Sequence, residues 1–145
     1  MEEDVEEDEH ESEVVEPTIS LHAILGKCGQ STMQICLAQG NHNLRGLIDS
    51  GSTHNFISGT AANFLGLPIL STTNVSVTVA NGNTMGCVRY CSDTMIVITG
   101  VTFKVNLFVI ELVGFDVVLG TSWLRQLGNI VWNFESLTMT FTWEG

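Results

Sequence analysis

The segment best equipped for chemistry is Leu47-Ile48-Asp49-Ser50-Gly51-Ser52-Thr53. An apolar run from Leu44 to Ile48 leads straight into a carboxylate. Burying a carboxylate at the end of an apolar strand is costly unless it is hydrogen-bonded or has work to do. Gly51 lets the chain turn tightly and brings backbone N–H groups close to the acid. Ser50 offers a hydroxyl that can bond across a neighbouring loop. Asp-Ser-Gly is also an ordinary turn sequence, so the surrounding elements have to decide between the two readings.

Those elements have mostly period two. Met33, Ile35 and Leu37 alternate with Thr32, Gln34 and Cys36; Val75, Val77 and Val79 with Asn74, Ser76 and Thr78; Val101, Phe103, Val105 and Leu107 with Thr102, Lys104 and Asn106. Leu137, Met139, Phe141 and Trp143 alternate with three threonines. Alternation of β-branched and aromatic residues predicts strands with one face in a core. Turn signals separate them at Gly40-Asn41-His42-Asn43, at Asn81-Gly82-Asn83, which predicts a hairpin, and at Gly100. Two short helices are expected. Ser58 would cap one through Ala61, Ala62, Phe64 and Leu65, stopped by Gly66 and Pro68; Ser122 would cap another over Trp123–Leu127, stopped by Gly128.

The chain has 145 residues and a formal net charge of −11, but residues 1–16 hold ten of the 16 acidic side chains and no Lys or Arg. The rest carries six acids against five bases. Residues 1–17 are therefore expected to be an acidic, disordered linker, and 18–145 a single all-β domain. Lys27, Arg45, Arg89, Lys104 and Arg125 are scattered, which argues against nucleic-acid binding. The most apolar stretch, 101–120, is interrupted by Lys104, Asn106, Glu111 and Asp116, which argues against a membrane span. No secretory signal is apparent, so the four cysteines are expected to be reduced thiols and the protein intracellular, in the cytoplasm.

In order along the chain, the motifs resemble those of the retropepsin-like aspartic proteases, closest to the ones in polyproteins of plant gypsy-type LTR retrotransposons. Leu47 to Ser58 resembles the catalytic loop and the start of its helix, Leu65-Gly66-Leu67-Pro68 that helix's end, and Val79-Ala80-Asn81-Gly82 the flap hairpin. Asp116-Val117-Val118-Leu119-Gly120-Thr121-Ser122-Trp123-Leu124 resembles the second signature. Trp132-Asn133-Phe134 and Leu137 to Phe141 resemble the closing strands. The resemblance implies a closed, barrel-like single lobe with a flap and short helices, acting as a homodimer on a peptide or polyprotein substrate without a cofactor.

Only Asp49 of the three Asp residues outside the acidic segment sits in an Asp-Ser-Gly context. An aspartic protease needs two carboxyl groups sharing one proton, and a two-fold homodimer supplies them from one motif. The resemblance makes Asp49, Ser50 and Gly51 catalytic and implies substrate contacts for Ser52, Thr53, Ala80, Asn81, Gly82, Leu119 and Gly120. Viral relatives usually carry Ala and an acid where Ser52 and Thr53 stand, and Arg where Thr121 stands. The ion pair these form in viral dimers is thus absent, and Arg125 is not an obvious substitute.

Other chemistry fits less well. Asp116 suits a turn or ion pair better than a second catalytic acid. His54 with Ser50 or Ser52 could suggest a serine hydrolase, but no Gly-x-Ser-x-Gly elbow exists. Cys87 and Cys91, with His22, His42 or His54, could suggest zinc, but the spacing matches no common site and buried thiols fit better. Trp123, Trp132 and Trp143 suit the core or a dimer interface. The rival reading is a catalytically inactive or domesticated dimerisation or peptide-binding module of the same fold.

Overall fold

The computed structural model describes residues 17–29, 32–71, 75–86 and 89–143. The acidic segment 1–16 and Cys87 lie outside them. Strands β2 (Thr32–Gln39) and β3 (His42–Asp49) form a hairpin around Gly40-Asn41, the first of the expected turns. β4 (Phe56–Ser58) and helix α2 (Gly59–Leu65) follow, the latter preceded in the chain by a one-turn helix α1 (Leu21–Ile24) and by strand β1 (Thr18–Ile19). The long strands β8 (Arg89–Ile98) and β9 (Val101–Ile110) make a second hairpin; Thr99 and Gly100 both have positive φ, as a two-residue hairpin turn requires. β10 (Val117–Leu119) runs parallel to β3 and antiparallel to β4, and β4 runs parallel to β9. A bridge from Ala38 of β2 to Val97 of β8 closes six strands into a barrel in the order β2-β3-β10-β4-β9-β8, with β5 (Leu70–Ser71) on the edge of β8.

The barrel interior is filled by Met33, Leu37, Ile48, Ile57, Ile96, Phe103, Val105, Leu107, Val117, Leu119 and Trp123. A second cluster lies on the outer face of β3, β4 and β10. There Leu47, Phe56 and Val118 meet Val77 and Val79 of β6 (Ser76–Val79), along with Ile19, Ile110 and Phe115. Strands covered on both faces have to be apolar at successive positions, which is why Leu47-Ile48, Phe56-Ile57 and Val117-Val118-Leu119 read as runs. β6 and β7 (Thr84–Gly86) form a hairpin around Asn81-Gly82, and together with β1 they make a separate three-stranded sheet.

Ser58 caps α2 as expected, its hydroxyl accepting the Ala61 N–H at 3.0 Å, and Gly66 ends the helix with a left-handed φ of 69°. The next helix differs. α3 spans Thr121–Leu127 and starts one residue before the expected Ser122 cap; its N-cap is Gly120, which has no side chain to cap with. Its first N–H groups are instead satisfied by the carbonyls of Ser52 and Thr53 (2.8 Å and 3.1 Å). At the C-terminus β11 (Ile130–Asn133) pairs with β12 (Thr138–Phe141). Leu137, expected in the last strand, sits in the turn with a φ of 58° and is exposed, because residues 134–137 are used to reverse the chain.

The parallel register places Leu119 opposite Ile48. Gly120 therefore lies beside Asp49, with the Asn55 side-chain oxygen accepting its N–H at 3.0 Å. A Cβ there would fall 2.4 Å from both the Ser52 and His54 carbonyl oxygens, which are backbone atoms and cannot swing away. Gly120→Ala is expected to cost about 3 kcal/mol, read as a lower urea midpoint at unchanged slope. Gly86→Ala, where a Cβ meets nothing within 4 Å, is expected to stay within about 0.5 kcal/mol.

Candidate active site

Asp49 ends β3 and has no solvent-exposed surface. Its Oδ1 accepts the Gly51 N–H at 2.9 Å. Its Oδ2 accepts two hydroxyls, Ser52 Oγ at 2.8 Å and Ser20 Oγ at 2.5 Å. The arrangement is cyclic: Ser20 N–H donates to Ser52 Oγ at 3.1 Å, and Ser20 Oγ in turn accepts the Ala23 N–H as the N-cap of α1. Three donors on one buried carboxylate satisfy the condition under which a charge is tolerated inside a protein.

Thr53 and His54 continue the loop. Thr53 N–H donates to the Thr18 carbonyl at 2.9 Å, and Thr53 Oγ1 accepts the Thr18 N–H at 2.8 Å. The same Oγ1 lies 2.7 Å from His54 Nδ1. Thr53 Oγ1 also lies 3.4 Å from the Thr18 carbonyl, so this hydroxyl joins β1 to His54. Burial, and then the Arg125 charge, hold the His54 imidazole below its ordinary range. His54 therefore bonds to Thr53, not to Ser50 or Ser52 as a serine-hydrolase pair would need.

Across the loop stands the β6–β7 hairpin. Gly82 N–H donates to the Val79 carbonyl and Val79 N–H to the Asn83 carbonyl, while the Gly82 φ of 99° makes the turn. Ala80, Asn81 and Gly82 are exposed at the tip. Between this hairpin and the Asp49 loop runs β1, in parallel register with β6. Thr78 N–H donates to the Pro17 carbonyl at 2.9 Å and Ala80 N–H to the Ile19 carbonyl at 3.0 Å.

The structure thus brings Asp49, Ser50, Gly51, Ser52 and Thr53 onto one loop, with Leu119 and Gly120 directly against it. Ser50 and Gly51 are exposed, whereas Ser52, Leu119 and Gly120 are buried and hold the loop from beneath. Ala80 meets the site through β1, and Asn81 bonds within its own turn to the Asn83 N–H. Asp116 is not at the site. Its carboxylate accepts the Arg45 N–H at 2.9 Å and its carbonyl accepts the Ser58 N–H, so it pins β10 between β3 and β4. Cys91 is a buried thiol in β8, pushed up by burial, with nearby Arg89 opposing weakly. Among the described residues no three His, Cys, Asp or Glu side chains group so as to hold a metal, and no helix is long and apolar enough to cross a membrane.

Sequence reasoning missed Thr18, Ile19 and Ser20 as site residues, and Asn55 as the clamp on Gly120. The one available signal for the first group was a Ser immediately before Leu21-His22-Ala23-Ile24, an N-cap pattern too short to stand out.

A model of the retroviral aspartyl protease family matches residues 30–144. No curated protein matches the chain in sequence. Among solved structures, the retroviral protease-like domain of Ddi1 from Leishmania major superposes with a TM-score of 0.54 at 13% identity, covering 76% of this chain and 85% of that one. A retropepsin-like aspartic protease from Rickettsia conorii gives 0.52 at 18% identity, covering 75% and 82%. Both likenesses are of fold. With a family match across most of its length and a closed barrel carrying a hairpin over an Asp-Ser-Gly loop, this chain belongs to the retroviral aspartyl protease family and has the retropepsin-like fold.

Proposed function

We propose that this chain is an aspartic endopeptidase that cleaves a retrotransposon polyprotein of the plant gypsy type in the cytoplasm, working as a homodimer. The observation that carries the reading is the cleft itself. An extended segment lies between the hairpin and the Asp49 loop, bonded through its main chain along both edges, and that is how a protease grips a peptide regardless of its side chains. The reaction uses only water and two carboxyl groups. One Asp49 carboxylate takes a proton from water as the water oxygen bonds to the scissile carbonyl carbon. The other, protonated, donates to the carbonyl oxygen, and the amine leaves with a proton as the C–N bond breaks. Gly51 and the Ser50 hydroxyl position the loop, Ser52 and Thr53 bind main chain, Ala80, Asn81 and Gly82 close over the peptide, and Leu119 and Gly120 back the dyad. Nucleic acid and membrane have no role in this reading.

The second copy would bring its own Asp49. A surface suited to it is the β11–β12 hairpin, which among the described residues pairs with neither of the other sheets. Trp132, Met139 and Phe141 pack inward, while Val131 is 69% exposed on the outer face. A two-stranded sheet is marginal alone and gains from pairing. One observation favours the rival reading of an inactive peptide-binding or dimerisation module: Asp49 is fully enclosed, with the Ser20 hydroxyl on its Oδ2.

Two variants test the reading, and a third prediction is of stability. Asp49→Asn should lower cleavage of a peptide library by about 10³-fold or more without changing the fold by circular dichroism; cleavage that survives it rejects the assignment. Val131→Asp should shift sedimentation toward monomer and abolish cleavage. A wild type that is strictly monomeric at micromolar concentration argues for the module. The third concerns pH. Because the folded imidazole of His54 is held below 6.5, the unfolded chain takes up the proton first as pH falls through that value, and folding stability drops there. His54→Gln should flatten the loss of stability between about pH 7 and 5, measured by urea unfolding across the range.

A further inference from the structure

We propose that Pro17–Ile24 is a built-in occupant of the peptide cleft, which keeps Asp49 closed until a peptide displaces it. The inference rests on the cleft being a peptide-binding cleft, but not on turnover.

Four observations carry it. First, the segment is held as a bound strand, not as a passing loop. The carbonyls of Pro17 and Ile19 accept from Thr78 and Ala80 on the hairpin, and the N–H and carbonyl of Thr18 both bond to Thr53 on the opposite side. A strand gripped along alternate edges by a hairpin and by the Asp49 loop uses the bonds that any other extended peptide entering there would need. Second, Ile19 is fully buried among Phe56, Val77, Val79, Ile110, Phe115 and Val118. The cleft therefore already contains a pocket filled by a branched aliphatic side chain, and a competing peptide should carry Val, Ile or Leu at the equivalent place. Third, Ser20 ends the strand on the carboxylate. Its hydroxyl donates to Asp49 Oδ2 and its N–H occupies Ser52 Oγ. Fourth, the chain cannot continue through the site as an extended peptide, because Ser20 caps α1 and its carbonyl accepts the Ile24 N–H at 3.3 Å. Ser20 itself is still extended, and the chain turns into the helix from Leu21 onward. Together these make the segment a plug more than a bound substrate. While it is seated, neither water nor the partner's Asp49 reaches the carboxylate, so release must precede both peptide binding and assembly of a dyad.

The test uses the full chain and two readouts, neither of which needs cleavage. Ile19→Asp puts a charge into the apolar pocket and should expel the segment. Hydrogen exchange then reports on the Thr53, Thr78 and Ala80 amides, which donate to it. They should be protected in the wild type and lose protection in the variant, while amides of the β8–β9 hairpin keep theirs. An acetylated, fluorescently labelled peptide with the sequence of residues 17–20 should bind the variant about tenfold or more tightly than the wild type, since a cleft filled nine-tenths of the time weakens apparent affinity by that factor. If Ile19→Asp also exposes the barrel amides, the milder Ile19→Ala with Ser20→Ala takes its place, with the same directions expected. Equal peptide binding by wild type and variant overturns the proposal, as do unprotected Thr53, Thr78 and Ala80 amides in the wild type. A variant that gains peptide binding but cleaves nothing supports the plug and counts against the protease reading alone.

Discussion

A carboxylate with no contact to water must be surrounded by donors, and that constraint organises the centre of this protein. Asp49 draws in the Gly51 N–H and the hydroxyls of Ser52 and Ser20. Two of those residues commit further backbone: Ser52 O receives α3, Ser52 Oγ receives the N–H of Ser20, and Ser20 Oγ caps α1. The acid is a node through which β3, α3 and the N-terminal segment are tied together. Removing the charge therefore removes the reason for several other contacts. This is why a conservative amide at position 49 is the appropriate probe, and why its fold has to be checked separately from its activity.

The parts legible in the sequence were those set by local rules. Period-two runs located β2, β6, β9 and β12 because each has one face in a core and one outside. Asn81-Gly82 and Gly100 marked hairpins because their turns need positive φ, and Ser58 with Gly66 bracketed α2. The lone Asp-Ser-Gly stood out because an acid follows apolar residues that turn out to be buried on both faces. The parts that were not legible depend on partners far along the chain. Ser122 looked like a cap, but α3 is capped by carbonyls some seventy residues earlier, a supply that no local pattern reveals. Leu137 fits the alternation of its neighbours, yet the reversal between β11 and β12 needs residues 134–137. Asp116 opens the second signature and was expected to serve a turn or ion pair; its structural work is instead to accept the Arg45 N–H 71 positions away, a partner no local pattern names. Thr18 to Ser20 carried no signature because a plug is defined by what it covers.

The two likenesses in solved structures are of fold alone, so what is shared with them is the scaffold. The barrel's interior is closed by generic apolar packing, which tolerates exchange so long as volume is kept. The Asp49 loop is less forgiving, since Gly120 has carbonyls at 2.4 Å where any side chain would begin. Divergence is therefore expected to concentrate away from that junction, in the hairpin tip and in the strands that face solvent.

The way α3 is capped has a mechanical consequence. Because the carbonyls of Ser52 and Thr53 hold its N-terminal N–H groups while Asn55 holds Gly120, the floor of the cleft is anchored to a helix whose Trp123 is fully buried in the barrel. The roof is anchored differently: β6 and β7 belong to a small sheet of their own whose third member is β1, and Val77 and Val79 pack it against Leu47, Phe56 and Val118. When β1 departs, the roof keeps that packing but loses Ile19 from the cluster and one hydrogen-bonded edge, leaving a two-stranded ribbon. A strand that pairs with β6 in its place restores that edge, so the roof is completed by whatever occupies the cleft.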